Sequence, residues 1–307
     1  MERLRPDAGN LAAAVRWFLA NDVGPLPHLF RVLWPFWWLE EHLGEARSWI
    51  GDAMAAAGSL NAIGQVELAW FVAVTSVEVG DDAAALEARG RLEPLIEAVD
   101  DRFLVAISQL ALGWVSPIVD DFDGALRRTS NSVGMLDEDE PFWTALAVAT
   151  LGFVEATLGR QDAARQHLTQ AFRLGEQLEN DWVTAASRVQ LGTLAVMQGR
   201  LDEARGLLDE GIRLSLDAGS TRSVTLCLTA LARLAFVAGD PERAAAILGA
   251  ADGLRRRASL REWPSLRGGE ADLTAQVQGA IGEQRFREAF TAGSRLSRSE
   301  AVALVRE

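Results

Sequence analysis

The stretch ALAVATLGFVEATLGRQDAARQHLTQAFRL, residues 145–174, contains two helical patterns separated by a glycine turn at Gly159. In the second pattern, apolar residues recur at steps of three and four with polar residues between them, which is typical of a helix with one buried face. The first pattern is apolar nearly all round, so its helix must be covered on more than one side. The stretch therefore predicts a helical hairpin that is stable only beside neighbouring hairpins.

The same pattern recurs with a period of 39 or 40 residues and keeps one register through six copies. Each copy has a central residue in its first helix, a turn seven residues later and a small residue five residues after the turn. The three series are Trp34, Ala73, Gly113, Gly152, Gly192 and Ala232; Glu41, Gly80, Asp120, Gly159, Gly199 and Gly239; and Ala46, Ala85, Ala125, Ala164, Ala204 and Ala244. A fixed period of this length is the signature of stacked repeats. We predict an all-α solenoid of about six forty-residue helix-turn-helix repeats.

Small residues at the landmarks predict how each hairpin packs. Gly152 and Ala164 allow the two helix backbones to approach closely, and Leu168 fills the space beside them. Repeat one has Trp34 at the position of Gly152, so its two helices cannot approach as closely. We therefore expect the array to begin with distorted geometry.

The register divides the chain into three parts. Residues 1–24 are predicted to be an entry helix that caps the array, residues 25–258 the six repeats, and residues 259–307 a helical C-terminal cap. Within the cap we expect a loop over residues 259–269 before the helices begin. Such end caps cover the otherwise open ends of repeat arrays.

Composition limits the possible functions. The net charge of −13 is uneven: residues 1–240 hold 19 arginines and 34 acidic residues, whereas residues 241–307 hold 11 and 9. The acidic body would repel phosphate backbones, which excludes direct nucleic-acid binding. The single cysteine, Cys227, excludes a disulfide framework, and we expect no apolar run to approach the length of a membrane span. We therefore expect a cytoplasmic protein without a membrane partner.

The residues also carry a resemblance to a known family. The hairpins around Gly152, Gly159 and Ala164 resemble tetratricopeptide repeats, which implies a right-handed solenoid. The opening NLAAAVRWFLANDVGPLPHLFRVLWPFWWLEEHLGEARSWI and the closing ERAAAILGAADGLRRR and FREAFTAGSRLSRSEAVALV resemble the C-terminal sensor half of actinobacterial LuxR-type and AfsR-like signal-transduction ATPases. The resemblance implies a sensing scaffold within a transcriptional or signalling regulator. The chain contains no lysine and hence no GxxxxGK motif, so the ATPase activity does not carry over.

In tetratricopeptide arrays the first helices line the concave face, and the analogy places a partner groove at fixed positions around each landmark. The groove residues predicted with most weight are Arg31, Trp38, Glu67, Trp70, Val74, Leu110, Trp114 and Phe153. The same positions in repeats four to six also give Leu146, Ala149, Val189, Thr193, Thr229, Arg233 and Phe236. An apolar groove of this kind suits a protein or peptide segment, or a flat organic ligand. The alternative is that a tight superhelix buries these side chains against one another.

Four further groups of side chains are candidate sites. The basic run Arg255, Arg256, Arg257 and Arg261 could dock on the acidic body or hold a neighbouring domain. Asp120 to Asp123 and Asp137 to Glu140 lack the spacing of a calcium loop, so we predict no metal site and no cofactor. Nor do His28, His42, His167 and Cys227 form a ligand or catalytic pattern.

Three functions remain at this point. The favoured one is a non-catalytic scaffold or sensor that binds a protein or peptide partner in its groove. The second is a sensor of a small-molecule effector, and the remote third is an enzyme. Homodimerisation through the tryptophan-rich end or the tail is left open.

Overall fold

The computed structural model describes residues 7–39, 43–136 and 139–306, and within these residues every regular element is a helix. The chain forms two compact units, Met1–Leu136 and Asp137–Glu307. Helices of the N-terminal unit are α1 Ala8–Asn21, α2 Leu26–Leu39, α3 Leu43–Ala55, α4 Ala62–Val79, α5 Asp82–Ile96, α6 Arg102–Val115 and α7 Phe122–Met135. Those of the C-terminal unit are α8 Pro141–Thr157, α9 Gln161–Gln177, α10 Asp181–Met197, α11 Leu201–Asp217, α12 Thr221–Val237, α13 Pro241–Arg257, α14 Pro264–Ile281, α15 Glu283–Ser294 and α16 Arg298–Arg306. The predicted all-α, solenoid-type fold is confirmed.

The hairpin α8–α9 shows why the landmarks have the residues that they have. Gly159 has φ 73°, a left-handed conformation that reverses the chain at low cost only for glycine. A Cβ atom on Gly152 would lie 3.1 Å from the Ala164 carbonyl oxygen and 3.0 Å from the Leu168 nitrogen. The two backbones therefore approach as closely as predicted. The α9 stripe Ala164, Leu168, Ala171 and Gly175 is buried.

The turn positions keep their geometry in the earlier and later repeats. Gly80, Gly199 and Gly239 also have positive φ, and Asp120 adopts φ 57° in the same place. Asp121 then caps α7, because its side chain accepts a hydrogen bond from the Gly124 nitrogen at 2.8 Å. The acidic cluster at 120–123 thus serves as a turn and a helix cap. The remaining turn position, Glu41, lies outside the described residues.

Repeat one departs from this hairpin geometry as its sequence predicted. Among the described residues, α2 packs chiefly against α4 rather than against its own partner α3. Trp34 explains the difference, since its ring contacts Trp70 of α4 at 5.7 Å between ring centroids and Trp114 of α6 at 5.9 Å. Because the landmark residue is large, α2 and α3 do not approach closely. Its ring instead makes aromatic contacts with the following two repeats.

The C-terminal cap is organised around a close crossing of α13 and α15. Gly249 and Gly253 of α13 face backbone oxygens of α15, and Gly293 of α15 faces the Ala246 carbonyl oxygen. The cap begins with a helix earlier than predicted: α14 starts at Pro264, whereas a loop was expected to residue 269. Proline is favoured in the first helical turn, and Gly268 and Gly269 lie inside α14.

The expectation that no apolar run approaches the length of a membrane span is wrong, because two helices have that length and a sufficiently apolar composition. Among the described residues, Ala62–Val79 and Arg102–Val119 each provide eighteen residues with a mean hydropathy of 1.3 and 1.5. Most of each segment is buried inside the N-terminal unit: 78% of Ala62–Val79 and 67% of Arg102–Val119. Buried core helices can have the same length and mean hydropathy as helices that cross a membrane.

Candidate functional site

Four of the predicted groove residues lie in the interior of the N-terminal unit. Trp70, Val74, Leu110 and Trp114 are each at most 5% exposed. The Trp70 indole nitrogen donates a hydrogen bond to the Ile107 carbonyl oxygen at 3.1 Å, which fixes the ring between α4 and α6. These side chains therefore fill the inside of the unit and do not line an open groove, which agrees with the alternative that a tight superhelix buries them against one another.

Charged residues close one edge of this interior. Glu67 is buried, and its carboxylate accepts a hydrogen bond from the Arg31 guanidinium at 2.8 Å and lies 3.2 Å from the His28 ring. Arg31 also lies over the Phe103 ring at 5.3 Å. Ion pairing and aromatic contact therefore hold Arg31 and Glu67 within the unit. The Trp38 side chain lies outside the described part of the structure.

The C-terminal unit contains an open pocket at the equivalent register. Phe153 of α8, Val189 and Thr193 of α10, and Thr229 and Arg233 of α12 all line it. These are corresponding positions of three successive repeats, and they enclose a cavity of about 400 Å³. All five of these residues were among the positions predicted for the groove, and they line one pocket of this unit.

The opposite wall comes from the C-terminal cap, which the sequence did not connect with a site. Glu262, Leu266, Gly269 and Glu270 face the cavity from α14 and the segment before it. Trp263 packs edge-on against Phe153 at 6.5 Å between ring centroids. The signal that could have suggested this wall is the sequence Glu262-Trp263-Pro264, an aromatic and an acid at a helix start within a polar tail.

A buried ion cluster attaches this wall to the repeats. Arg255 of α13 forms ion pairs with Glu262 and Glu270, donating to a Glu270 carboxylate oxygen at 2.9 Å. Thr229 donates to the same Glu270 carboxylate at 3.2 Å. Arg222 of α12 donates to the Arg261 carbonyl oxygen at 3.1 Å. Polar contacts therefore hold the start of α14 in place over the pocket.

Burial raises the pKa of Glu262 to about 7, and the Arg255 guanidinium opposes this rise only in part while the neighbouring Glu270 carboxylate adds to it. The ordinary value is 4.5, so the folded protein holds this proton more tightly than the unfolded chain. The contribution of Glu262 to stability is consequently greatest below pH 4.5 and falls as the pH rises to about 7.

A Glu262→Gln variant tests this pH dependence. We expect it to match the wild type near pH 4 and to be more stable by up to about 3 kcal/mol near pH 8, because each unit of the pKa rise from 4.5 to about 7 is worth about 1.4 kcal/mol. Urea unfolding at both pH values measures the difference. A variant that is less stable at pH 8 would show that the ion pair outweighs the cost of burial.

The rest of the predicted basic run has local contacts. Arg256 pairs with Asp252 one turn earlier, at 3.0 Å. Arg257 donates to the Ser294 carbonyl oxygen at 2.9 Å, at the C-terminal end of α15, where a cation is favourable. The Arg261 residue is exposed. The run thus splits between the pocket wall, the cap and the surface.

The remaining histidines, acidic residues and the cysteine do not come together as a metal cluster in the part of the chain that the structure describes. No group of three or more His, Cys, Asp or Glu residues lies close enough there to hold a metal ion. His167 contacts Glu155 at 2.6 Å, whereas His42, Asp137 and Glu138 lie outside the described residues. The Cys227 thiol is fully buried, which raises its pKa well above the ordinary value and keeps it unreactive.

With the geometry of the repeats established, comparison with known proteins gives a consistent result. Residues 143–217 match the tetratricopeptide repeat family. This segment covers the hairpins α8–α9 and α10–α11, and residues of α8 and α10 line the pocket. No curated protein matches the chain.

Solved structures with tetratricopeptide-like helices share the fold. The Rap protein complexed with Competence and Sporulation Factor has a TM-score of 0.66 and 14% identity, over 95% of this chain and 78% of that one. A signal transduction ATPase with numerous domains and a tetratricopeptide repeat sensor, from Pyrococcus horikoshii, has a TM-score of 0.59 and 12% identity, over 95% of this chain and 44% of that one. Aspartyl phosphate phosphatase F from Bacillus subtilis has a TM-score of 0.54 and 14% identity, over 98% and 89%. At these identities the likeness shows the fold alone.

Proposed function

We propose that this chain is a non-catalytic tetratricopeptide-like sensor module that binds a protein or peptide partner in the pocket of its C-terminal unit. The observation that carries the proposal is the convergence of Phe153, Val189, Thr193, Thr229 and Arg233 on one cavity of about 400 Å³. Equivalent positions of successive repeats that face one cavity are how repeat arrays build a binding surface. We place the module in a cytoplasmic signalling or transcriptional regulator.

The pocket has the composition of a recognition site. Phe153, Val189 and Leu226 give an apolar surface, while Arg233 and Glu270 supply charged groups at its edge. A few polar groups among apolar ones fix the orientation of a ligand while burial provides most of the affinity. The names of two structural neighbours agree with such a role, since one is complexed with a factor and the other carries a repeat sensor.

A small-molecule effector is the second candidate. The observation that favours it is the size of the cavity, about 400 Å³, which lies within the range that small-ligand pockets occupy. Thermal unfolding in the presence of a metabolite library separates the two candidates, because a compound that binds only the folded protein raises Tm with increasing dose.

Filling the pocket tests the partner-binding proposal. A random peptide library displayed on phage is selected on the wild-type protein, and the recovered peptides are measured against a Thr193→Trp variant. Thr193 is half-buried at the pocket wall, so an indole there would occupy the space that a ligand side chain needs. We expect affinity to fall by about tenfold or more, the loss of roughly one buried side-chain contact.

The matched control is Gln177→Trp, which adds the same indole to an exposed position near the end of α9. It should bind the selected peptides like the wild type. Circular dichroism and Tm of both variants establish that the fold is retained. If no peptide is enriched, or if both variants bind the recovered peptides equally, the pocket does not receive the partner and the proposal fails.

A further inference from the structure

Arg233 is the pocket residue whose charge is not matched by a contacting carboxylate. Its guanidinium donates one hydrogen bond, to the Gly269 carbonyl oxygen at 2.7 Å, and no acid of the described residues lies within ion-pair distance of it. Burial lowers the pKa of this group below its ordinary value, opposed by the more distant Asp272. A guanidinium that has lost part of its water and has one fixed acceptor retains donors for a further partner.

The other charged groups of this region are already occupied. Glu262 and Glu270 share the Arg255 guanidinium, whose single positive charge offsets one of the two carboxylates, and burial raises the pKa of Glu262 so that it holds its proton more tightly. Asp272 is exposed, and water screens its charge. Three acids line the same pocket, but none of them forms an ion pair with Arg233. The positive charge of Arg233 is therefore available to an anion that binds beside it.

The repeat side of the pocket that holds Arg233 also offers apolar surface. Thr193 and Thr157 donate their hydroxyls to the carbonyl oxygens of Val189 and Phe153, at 2.9 and 3.1 Å, one turn earlier in their own helices. Their polar groups are thus satisfied within the helix, and their methyl groups add to the apolar surface of the cavity. Met197, half exposed, extends this surface at the edge of the pocket.

We infer that the pocket recognises a carboxylate attached to an apolar body, with the carboxylate bound by Arg233 and the body packed against Phe153, Val189 and Leu226. The inference rests on the proposed function and specifies the chemistry of the same site. Guanidinium groups bind carboxylates through two parallel hydrogen bonds, and such charge-assisted bonds are strongest where water is excluded. The same chemistry could come from the C-terminus of a peptide or from a free organic acid.

Matched probes distinguish the charge from the apolar body. The first arm uses acetylated tetrapeptides ending in two apolar residues, each made as the free acid and as the C-terminal amide. The second arm uses octanoate, octanol and octylammonium. Affinity selection followed by mass spectrometry ranks the peptides, and isothermal titration gives affinities for the best peptide pair and for the three octyl compounds.

We expect the free acids to bind about tenfold or more tightly than their neutral counterparts, because a hydrogen bond between two charged groups stabilises a complex more than one to a neutral group does. Arg233→Gln should bring the ratio of acid to neutral affinity, measured within the same variant, close to one, because the variant has no positive charge for the carboxylate. Arg233→Lys should retain part of the preference. Preference in the peptide arm assigns the ligand to a chain terminus, and preference in the octyl arm assigns it to an organic acid.

Several results would overturn the inference. Equal binding of acid and neutral forms, tighter binding of octylammonium, or an unchanged preference in Arg233→Gln each removes the role of Arg233. Absence of binding by every probe also contradicts it. The proposed function fails separately, because it is decided by the displayed peptides and the Thr193→Trp variant, which require no carboxylate.

Discussion

Replacing Trp70 by Ala is expected to destabilise the N-terminal unit by about 4 kcal/mol, the usual cost of removing a buried large aromatic side chain. Trp70 is 1% exposed and packs edge-on against Trp34 at 5.7 Å. Its removal would leave a cavity between α4 and α6 and would abolish the hydrogen bond to the Ile107 carbonyl oxygen. Urea unfolding followed by fluorescence measures the loss of free energy.

Two further measurements assign this effect to packing. Trp70→Phe keeps most of the ring contact and loses the hydrogen bond, so we expect it to cost about 1–2 kcal/mol. Hydrogen exchange should increase in α4 and α6 of the Ala variant and stay at wild-type rates in the C-terminal unit. A loss below about 1 kcal/mol for Trp70→Ala would mean that the indole is not part of the core.

The repeat register could be predicted from the sequence because backbone geometry alone requires its landmarks. A turn with positive φ needs Gly159 or a residue such as Asp120 that tolerates this conformation, and a close helix contact needs Gly152. Both requirements act within one hairpin, so each copy shows them at the same spacing. Local signals of this kind give the fold class and most helix positions.

Whether an apolar position faces a groove or a core could not be predicted in the same way. Trp70 and Phe153 occupy similar places in their repeats, yet Trp70 lies inside the N-terminal unit and Phe153 lines a pocket. The difference depends on side chains from other repeats, since Trp34 fills the space beside Trp70. Whether a position is buried depends on the combined volume of side chains from several repeats, and the residue at that position does not reveal this volume.

The cap wall of the pocket was unpredictable for a related reason. Glu262 and Glu270 meet Arg255 only because α14 folds back on α12 and α13. In the sequence these residues resemble ordinary charges of a solvated tail, and their ion pairs depend on the tertiary fold. The basic run is visible in the sequence, but its division among different partners depends on the tertiary fold.

Placing a methyl group at the crossing of α13 and α15 is expected to detach the C-terminal cap. A Cβ atom on Gly249 would lie 2.0 Å from the Phe290 carbonyl oxygen, and one on Gly293 would lie 1.9 Å from the Ala246 carbonyl oxygen. Both obstacles are backbone atoms that cannot rotate away, so the helices must separate. We expect Gly249→Ala to cost about 2–3 kcal/mol, at the upper end of the usual penalty for overpacking.

The control for this prediction is Gly206→Ala, a helix-interior glycine of α11 with no atom within 4 Å of the added Cβ. Alanine has the higher helix propensity, so Gly206→Ala should stabilise the protein by about 0.5–1 kcal/mol. The same propensity gain applies to Gly249→Ala, and any net loss there must arise from the crossing itself. Hydrogen exchange and limited proteolysis of residues 283–306 should increase in Gly249→Ala alone. If Gly249→Ala were as stable as Gly206→Ala, the two helices could not lie as close together as the structure places them.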